Sequence, residues 1–197
     1  LQRVLLFPVH RLVARPFVVE GRDAVEGISG PVLIVANHCS HLDTPSILRA
    51  LPWRIRRRSA VAAAADYFYR SRPIGSLATL ILGTFPFSRE GGVRSSLERC
   101  GQFADDGWSI LIYPEGTRSP SGAMAPFRSG IGLLATQMSV PIVPIGVSGT
   151  HRAWPKGQRL PRPGAVTVRI GAPVTVRPGA DPAEPVERLE RAVAALT

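Results

Sequence analysis

Short apolar runs, each closed by a turn signal, limit what this chain can fold into more than any other feature. Val32 to Ala36, Ser109 to Tyr113 and Ile142 to Val147 are nearly continuous in Val, Ile and Leu, and Ala165 to Ile170 is a fourth run rich in β-branched residues. Continuous rather than alternating apolarity is the mark of strands buried on both faces, as in parallel sheets covered by helices. Ser59 to Ala65 and Thr84 to Phe87 read as two further short strands, although the alanines of the former also suit a helix. Between the strands lie segments with helical signals: Thr44 to about Leu51, Ile74 to Leu82, Val93 to Phe103 and Ile131 to Met138. The alternation predicts an α/β fold: a single domain with a mostly parallel mixed sheet flanked by helices.

With 197 residues, 45% of them apolar, the chain can build one sizeable core and is too short for two comfortable domains. The expected organisation is therefore one domain over 1–197. Within it, 1–29 forms an amphipathic N-terminal segment, 30–150 the motif-bearing core, and 151–197 a C-terminal strand and helix. The first segment mixes Leu, Val and Phe with Arg3, Arg11 and Arg15. It can pack on its own domain or lie on a bilayer surface. No apolar stretch reaches the roughly eighteen residues of a spanning helix. The chain opens on Leu1 and stops within a helical pattern, so flanking or fused domains are expected.

Sites in such folds gather where strands end at their carboxyl termini. Directly after the run 32–36 stand Asn37-His38-Cys39-Ser40-His41-Leu42-Asp43. A histidine can take the proton of a hydroxyl, and a carboxylate that accepts its other ring N–H fixes the tautomer and stabilises the imidazolium. On one regular helix, residues five apart point about 140° away from each other. His38 and Asp43 can therefore converge only if His38 precedes a helix and Asp43 lies at its start, and Thr44-Pro45 is a helix-start signal in the right place. Cys39 and His41 add a superficially metal-like look to the cluster, but a second segment with paired ligands is missing. Ser40 lacks the G-x-S-x-G elbow of a nucleophile. With Cys39 and Cys100 as the only cysteines, no disulfide framework is possible.

Charge points toward anionic partners. Lys and Arg total 24 against 14 Asp and Glu, a formal net charge of +10, and all but one of the cations are Arg. The guanidinium fork suits phosphate and anionic surfaces. Arg54, Arg56, Arg57 and Arg58 around Trp53 fit an anionic lipid interface, and in isolation would fit nucleic acid equally well.

Four ordered segments on strand ends together resemble the glycerolipid (lysophospholipid) acyltransferases. His38-Cys39-Ser40-His41-Leu42-Asp43 matches the family's H-x-x-x-x-D block, and Gly83 to Arg89 resembles an apolar strand closing on an arginine. Tyr113-Pro114-Glu115-Gly116-Thr117-Arg118-Ser119 is similar to the F-P-E-G-T-R-S block, with Tyr in place of Phe. Val140 to Ile145 resembles the V-P-I-V-P-V block. The resemblance implies that His38 and Asp43 form the catalytic dyad, and that Arg89, Glu115, Gly116, Thr117 and Arg118 bind the acceptor and its phosphate. Phe127-Arg128-Ser129-Gly130, opening the next helix, can supply further anion contacts through its N-terminal N–H groups.

The activity implied is transfer of a fatty acyl group from acyl-CoA or acyl carrier protein to the free hydroxyl of a lysophospholipid. 1-Acylglycerol 3-phosphate is the expected acceptor, giving phosphatidic acid. The acyl donor is a substrate, and neither a further cofactor nor a metal is implied. The expected setting is the cytoplasmic face of a membrane, bound peripherally or monotopically to an anionic surface, with no nucleic acid partner. Two other readings stay open: acylation of a different lyso-lipid or glycolipid, and a basic, non-catalytic module that binds nucleic acid or membrane. The second explains the charge but not the residues at 38, 43 and 115–118.

Overall fold

In the computed structural model, which describes residues 2–68, 71–88, 93–177 and 179–197, the apolar runs form one seven-stranded sheet. In chain order its strands are β1 Ala14–Glu20, β2 Leu33–Ala36, β3 Ser59–Ala64, β4 Thr84–Phe87, β5 Ser109–Ile112, β6 Ile142–Ser148 and β7 Gly164–Ile170. The spatial order is β1-β7-β6-β2-β5-β3-β4. Neighbours pair in parallel throughout the sheet except β6 and β7, which are antiparallel. The mostly parallel mixed sheet flanked by helices is thus as expected.

β2 is central, with Leu33 opposite Ile110 on one side and Ile142 on the other. Its side chains alternate between two cores, which is why a continuous apolar run is needed here. Ile34 and Ala36 join Ile47, Ala50 and Leu51 of the 43–50 helix region on one face. Leu33 and Val35 join Leu97 and Cys100 of helix Val93–Asp105, Ile131 and Leu134 of helix Gly130–Gln137, and Leu189 and Val193 of helix Ala183–Ala194 on the other. Val140 to Ile145 supplies core: Ile142, Val143 and Ile145 are fully buried.

Two expectations need adjustment, and one exposed face was not foreseen. The N-terminal segment is helical only as far as Val13, through the turn Gln2–Leu6 and helix Phe7–Val13, and then becomes edge strand β1 beside β7. Phe17 and Val19 turn toward the core while Val18 and Glu20 face outward, so the period changes from helical to strand within a few residues. Pro16 is tolerated because it lies at the start of an edge strand. The helix expected from Thr44 starts one residue earlier, at Asp43, with Leu42 at the cap and no side-chain cap bond. The apolar helix Arg72–Leu82 is not enclosed: Leu77 and Leu80, three residues apart on one face, are 57% and 66% exposed.

β2, β5 and β6 are adjacent and run the same way. Their carboxyl ends deliver Asn37-His38, Tyr113 to Arg118 and Gly149-Thr150 to a single edge of the sheet.

Candidate active site

Asn37 fixes where the chain leaves the sheet. Its side-chain amide donates to the Val147 carbonyl at 2.9 Å and its carbonyl accepts from the Val147 N–H at 2.7 Å, which extends the β2–β6 pairing by one residue through a side chain. The chain then turns, and Asp43 at the head of the next helix is the point about which it turns. Asp43 is fully buried. Its Oδ2 accepts from the backbone N–H of Cys39 at 2.7 Å, the N–H of Ser40 at 2.8 Å and His38 Nδ1 at 2.8 Å. A buried carboxylate is tolerated only with such donors around it. The bond to Asp43 places the proton of His38 on Nδ1 and leaves Nε2 with a free lone pair.

Two other contacts hold the imidazole. Its face stacks on Tyr113, with centroids 4.0 Å apart and 15° between planes, and the Tyr113 hydroxyl is 2.8 Å from the Thr44 hydroxyl. Burial raises the Tyr113 phenol well above its ordinary value, so it stays a neutral hydroxyl. Below the ring, the His38 N–H donates to Glu115 Oε1 at 2.6 Å and the His38 carbonyl accepts from the Ser119 N–H at 2.8 Å.

Glu115 thus holds the backbone of the His38 turn. It is buried, and its second oxygen accepts the Ala125 N–H at 2.8 Å, so the carboxylate ties the 115–125 loop to the His38 turn. Burial raises its carboxyl above the usual range, and the two N–H bonds offset only part of that rise. Gly116 adopts φ +74°, and a Cβ there would stand 2.6 Å from Arg128 Nε. The left-handed backbone favours glycine, and the Arg128 side chain lies against it.

His38, Thr44, Gly116, Thr117 and Arg118 line one cavity of about 810 Å³, with Arg128 and Lys156 on its wall. Lys156 is the chain's only lysine, and nothing in the sequence around it marked it as a site residue. Much of the remaining wall is apolar, including Val61, Ala63, Leu82, Phe87, Ile112 and Leu133, with His41, Thr84, Ser88 and Ser129 among the polar groups on it. Helix Arg72–Leu82 reaches this wall through Leu82. Arg118 donates from Nη1 to His41 Nε2, which fixes the His41 proton on Nδ1. Burial and the Arg118 charge push His41 down to about 4. Arg89 lies outside the described residues. Cys39, rather than facing His38 as a ligand, is buried toward Thr150, and burial pushes its thiol up to about 12.

Sequence reasoning missed Tyr113 as a stacking partner, Lys156, and Thr150, whose hydroxyl donates to Asp43 Oδ1 at 2.6 Å. Thr150 could have been suspected, since it follows the β6 strand end as His38 follows that of β2. Lys156 arrives through the 154–157 loop, whose Trp154 carbonyl accepts from Ser40 Oγ at 2.7 Å, a contact no local pattern encodes.

The arrangement is an imidazole with an oriented tautomer in the wall of a largely apolar cavity that also carries Arg118, Arg128 and Lys156. The Acyltransferase family model matches residues 16–148. The chain is 27% identical over 166 residues to a 1-acyl-sn-glycerol-3-phosphate acyltransferase of Cocos nucifera, covering 83% of this chain and 51% of that protein. It is 32% identical over 152 residues to the human 1-acyl-sn-glycerol-3-phosphate acyltransferase alpha, covering 74% and 50%. The chain thus spans about half the length of these relatives. The crystal structure of the 1-acyl-sn-glycerophosphate (LPA) acyltransferase PlsC from Thermotoga maritima superposes with a TM-score of 0.77 at 23% identity, covering 98% of this chain and 78% of that one. That likeness shows a shared fold.

Proposed function

Because this chain belongs to the acyltransferase family, we propose that it moves a fatty acyl group from a thioester, acyl-CoA or acyl carrier protein, to the free hydroxyl of a lysophospholipid, with 1-acylglycerol 3-phosphate as acceptor and phosphatidic acid as product. The observation that carries this reading is the His38 Nδ1 to Asp43 Oδ2 contact of 2.8 Å at the edge of a cavity that is apolar along one wall and cationic at Arg118, Arg128 and Lys156.

His38 Nε2 takes the proton of the acceptor hydroxyl as its oxygen attacks the thioester carbonyl. Asp43 stabilises the imidazolium that forms, and the tetrahedral intermediate collapses with expulsion of the thiolate, which recovers the proton from His38. The substrate hydroxyl is itself the nucleophile, so no acyl-enzyme forms. Arg118, with its neighbouring cations, binds the acceptor phosphate, and the apolar wall takes an acyl chain.

A membrane surface is the natural source of such an acceptor. Among the described residues no helix is long and apolar enough to cross a bilayer. Leu77 and Leu80 are exposed on a helix that packs against Gln2–Leu6, where Val4 is 74% exposed, and Val9 and Leu12 on the adjoining helix are also exposed. We place the chain peripherally on an anionic bilayer through this apolar face.

A panel of acyl-CoA donors and lysolipid acceptors, read by free-thiol release, tests the assignment. Wild-type protein should turn over the phosphorylated acceptor and His38→Ala should not, while Arg118→Ala should chiefly raise the acceptor KM. A folded His38→Ala protein with wild-type turnover rejects the base, and turnover confined to an unphosphorylated acceptor rejects the phosphate site.

A further inference from the structure

Asp43 carries three of its close hydrogen bonds on one oxygen. His38 Nδ1, Cys39 N and Ser40 N all meet Oδ2, and all come from the same short turn. These bonds bear on Oδ2 alone, and none of them reaches Oδ1. The other oxygen, Oδ1, has one close partner among the described residues, the Thr150 hydroxyl at 2.6 Å, while Cys39 Sγ stands at 3.9 Å. Thr150 is fully buried and comes from the end of the neighbouring strand β6, 107 positions along the chain.

Its placement is built into the fold. β6 ends at Ser148, and Gly149 turns the chain with φ +86° so tightly that a Cβ would stand 2.0 Å from the Ala165 carbonyl oxygen of β7. Only glycine fits there, and the turn aims Thr150 back beneath the 43–50 helix. The hydroxyl is polarised in one direction. Asp43 can only accept from it, so its oxygen is left to accept from the Cys39 thiol 3.4 Å away. A chain Cys39 S–H to Thr150 O–H to Asp43 Oδ1 results, with every member satisfied.

We propose that Thr150 is a positioning residue of the acyl-transfer reaction: its hydroxyl fixes the plane of the Asp43 carboxylate, and so the direction in which His38 presents Nε2. This rests on the reading of His38 as base. It gives the segment after β6 a part in the chemistry beyond supplying a sheet strand.

Three substitutions separate hydroxyl from packing. Thr150→Val keeps the volume and removes the hydroxyl; kcat should fall by up to about 100-fold, the scale on which misplaced catalytic groups act, with acceptor KM nearly unchanged. Thr150→Ser restores the hydroxyl and should recover most of that turnover. If Val at 150 prevents folding, the Ser and Ala variants make the same comparison, because they differ only in the hydroxyl. The low-field proton resonance of His38 Nδ1–H supplies a substrate-free readout. It should be sharp in wild type and Thr150→Ser, and broadened by solvent exchange in Thr150→Val or Thr150→Ala. Equal turnover and equal resonances for the Ser and Ala variants overturn the proposal. Wild-type turnover in His38→Ala instead overturns the reading beneath it, and the two failures are distinguishable because the Ser and Ala variants at 150 are compared by a resonance of the His38–Asp43 contact that needs no turnover.

Discussion

Replacing Asp43 by Asn changes charge and almost nothing in volume, and its consequences can be worked from four hydrogen bonds. The carboxylate accepts from two backbone N–H groups, one imidazole N–H and one hydroxyl, at 2.6 to 2.8 Å. An Asn carbonyl oxygen can sit where Oδ2 was, with its NH2 toward Thr150, whose hydroxyl can reverse and accept. No donor need be orphaned, so the fold should survive. Each of the two backbone bonds drops from a charge-assisted to a neutral one, a loss of about 1 kcal/mol apiece. About 2 kcal/mol in total lowers Tm by about 4–8 °C for a chain of this size. Catalysis should suffer more, because the imidazolium loses its counter-charge. A drop of about 10²–10⁴-fold in kcat is expected, the range known for the analogous change in Ser-His-Asp enzymes, with little change in acceptor KM. Thiol release from acyl-CoA at saturating acceptor measures the first quantity, and a circular-dichroism melt measures the second. Turnover within an order of magnitude of wild type, in a protein that melts as the wild type does, would refute the argument that Asp43 acts through its charge.

The exposed apolar face yields a second expectation. Leu77→Ser with Leu80→Ser should weaken co-sedimentation with anionic vesicles while leaving turnover of acceptor in dilute detergent intact; unchanged vesicle binding would move the contact elsewhere. Acid stability is the third. Burial is the larger cause in both His10 and His41, which are lowered from 6.5 to about 4, with Arg49 and Arg118 respectively adding to the effect. Both are thus held neutral in the fold. A histidine depressed in this way contributes stability that is present above pH 6.5 and lost as pH falls toward 4. Glu115, raised by burial, has the opposite sign, but two groups outweigh one. The urea midpoint should therefore fall between pH 6.5 and about 4, and a midpoint that stays level or rises over that window would contradict the assignment.

The legible parts of the site were those in which chemistry and local structure coincide along the chain. His38 and Asp43 are five residues apart and bridge a strand end and a helix start, so spacing alone could say how they meet. Even there, the helix begins at Asp43 rather than after Thr44, because the Thr44 hydroxyl is committed to Tyr113 instead of a cap. Glu115 shows the opposite case. Its place in a motif suggested an acceptor contact, yet both its oxygens hold backbone N–H groups at His38 and Ala125, partners that only the packed loops bring within reach. β1 escaped notice because Arg15 and Pro16 break its pattern and its pairing with β7 joins residues about 150 positions apart.

By itself, then, the sequence determined the layers of this protein and the pairing at its centre. Continuous apolar runs can be buried only on both faces of a sheet, and a histidine and an aspartate at that spacing can meet only across a strand-to-helix turn. Tertiary structure alone decided what surrounds the pair. Thr150 on Asp43, Tyr113 under His38 and Lys156 on the cavity wall are each set by contacts between segments 40 to 120 residues apart, roughly, and such contacts leave no period or motif along the chain.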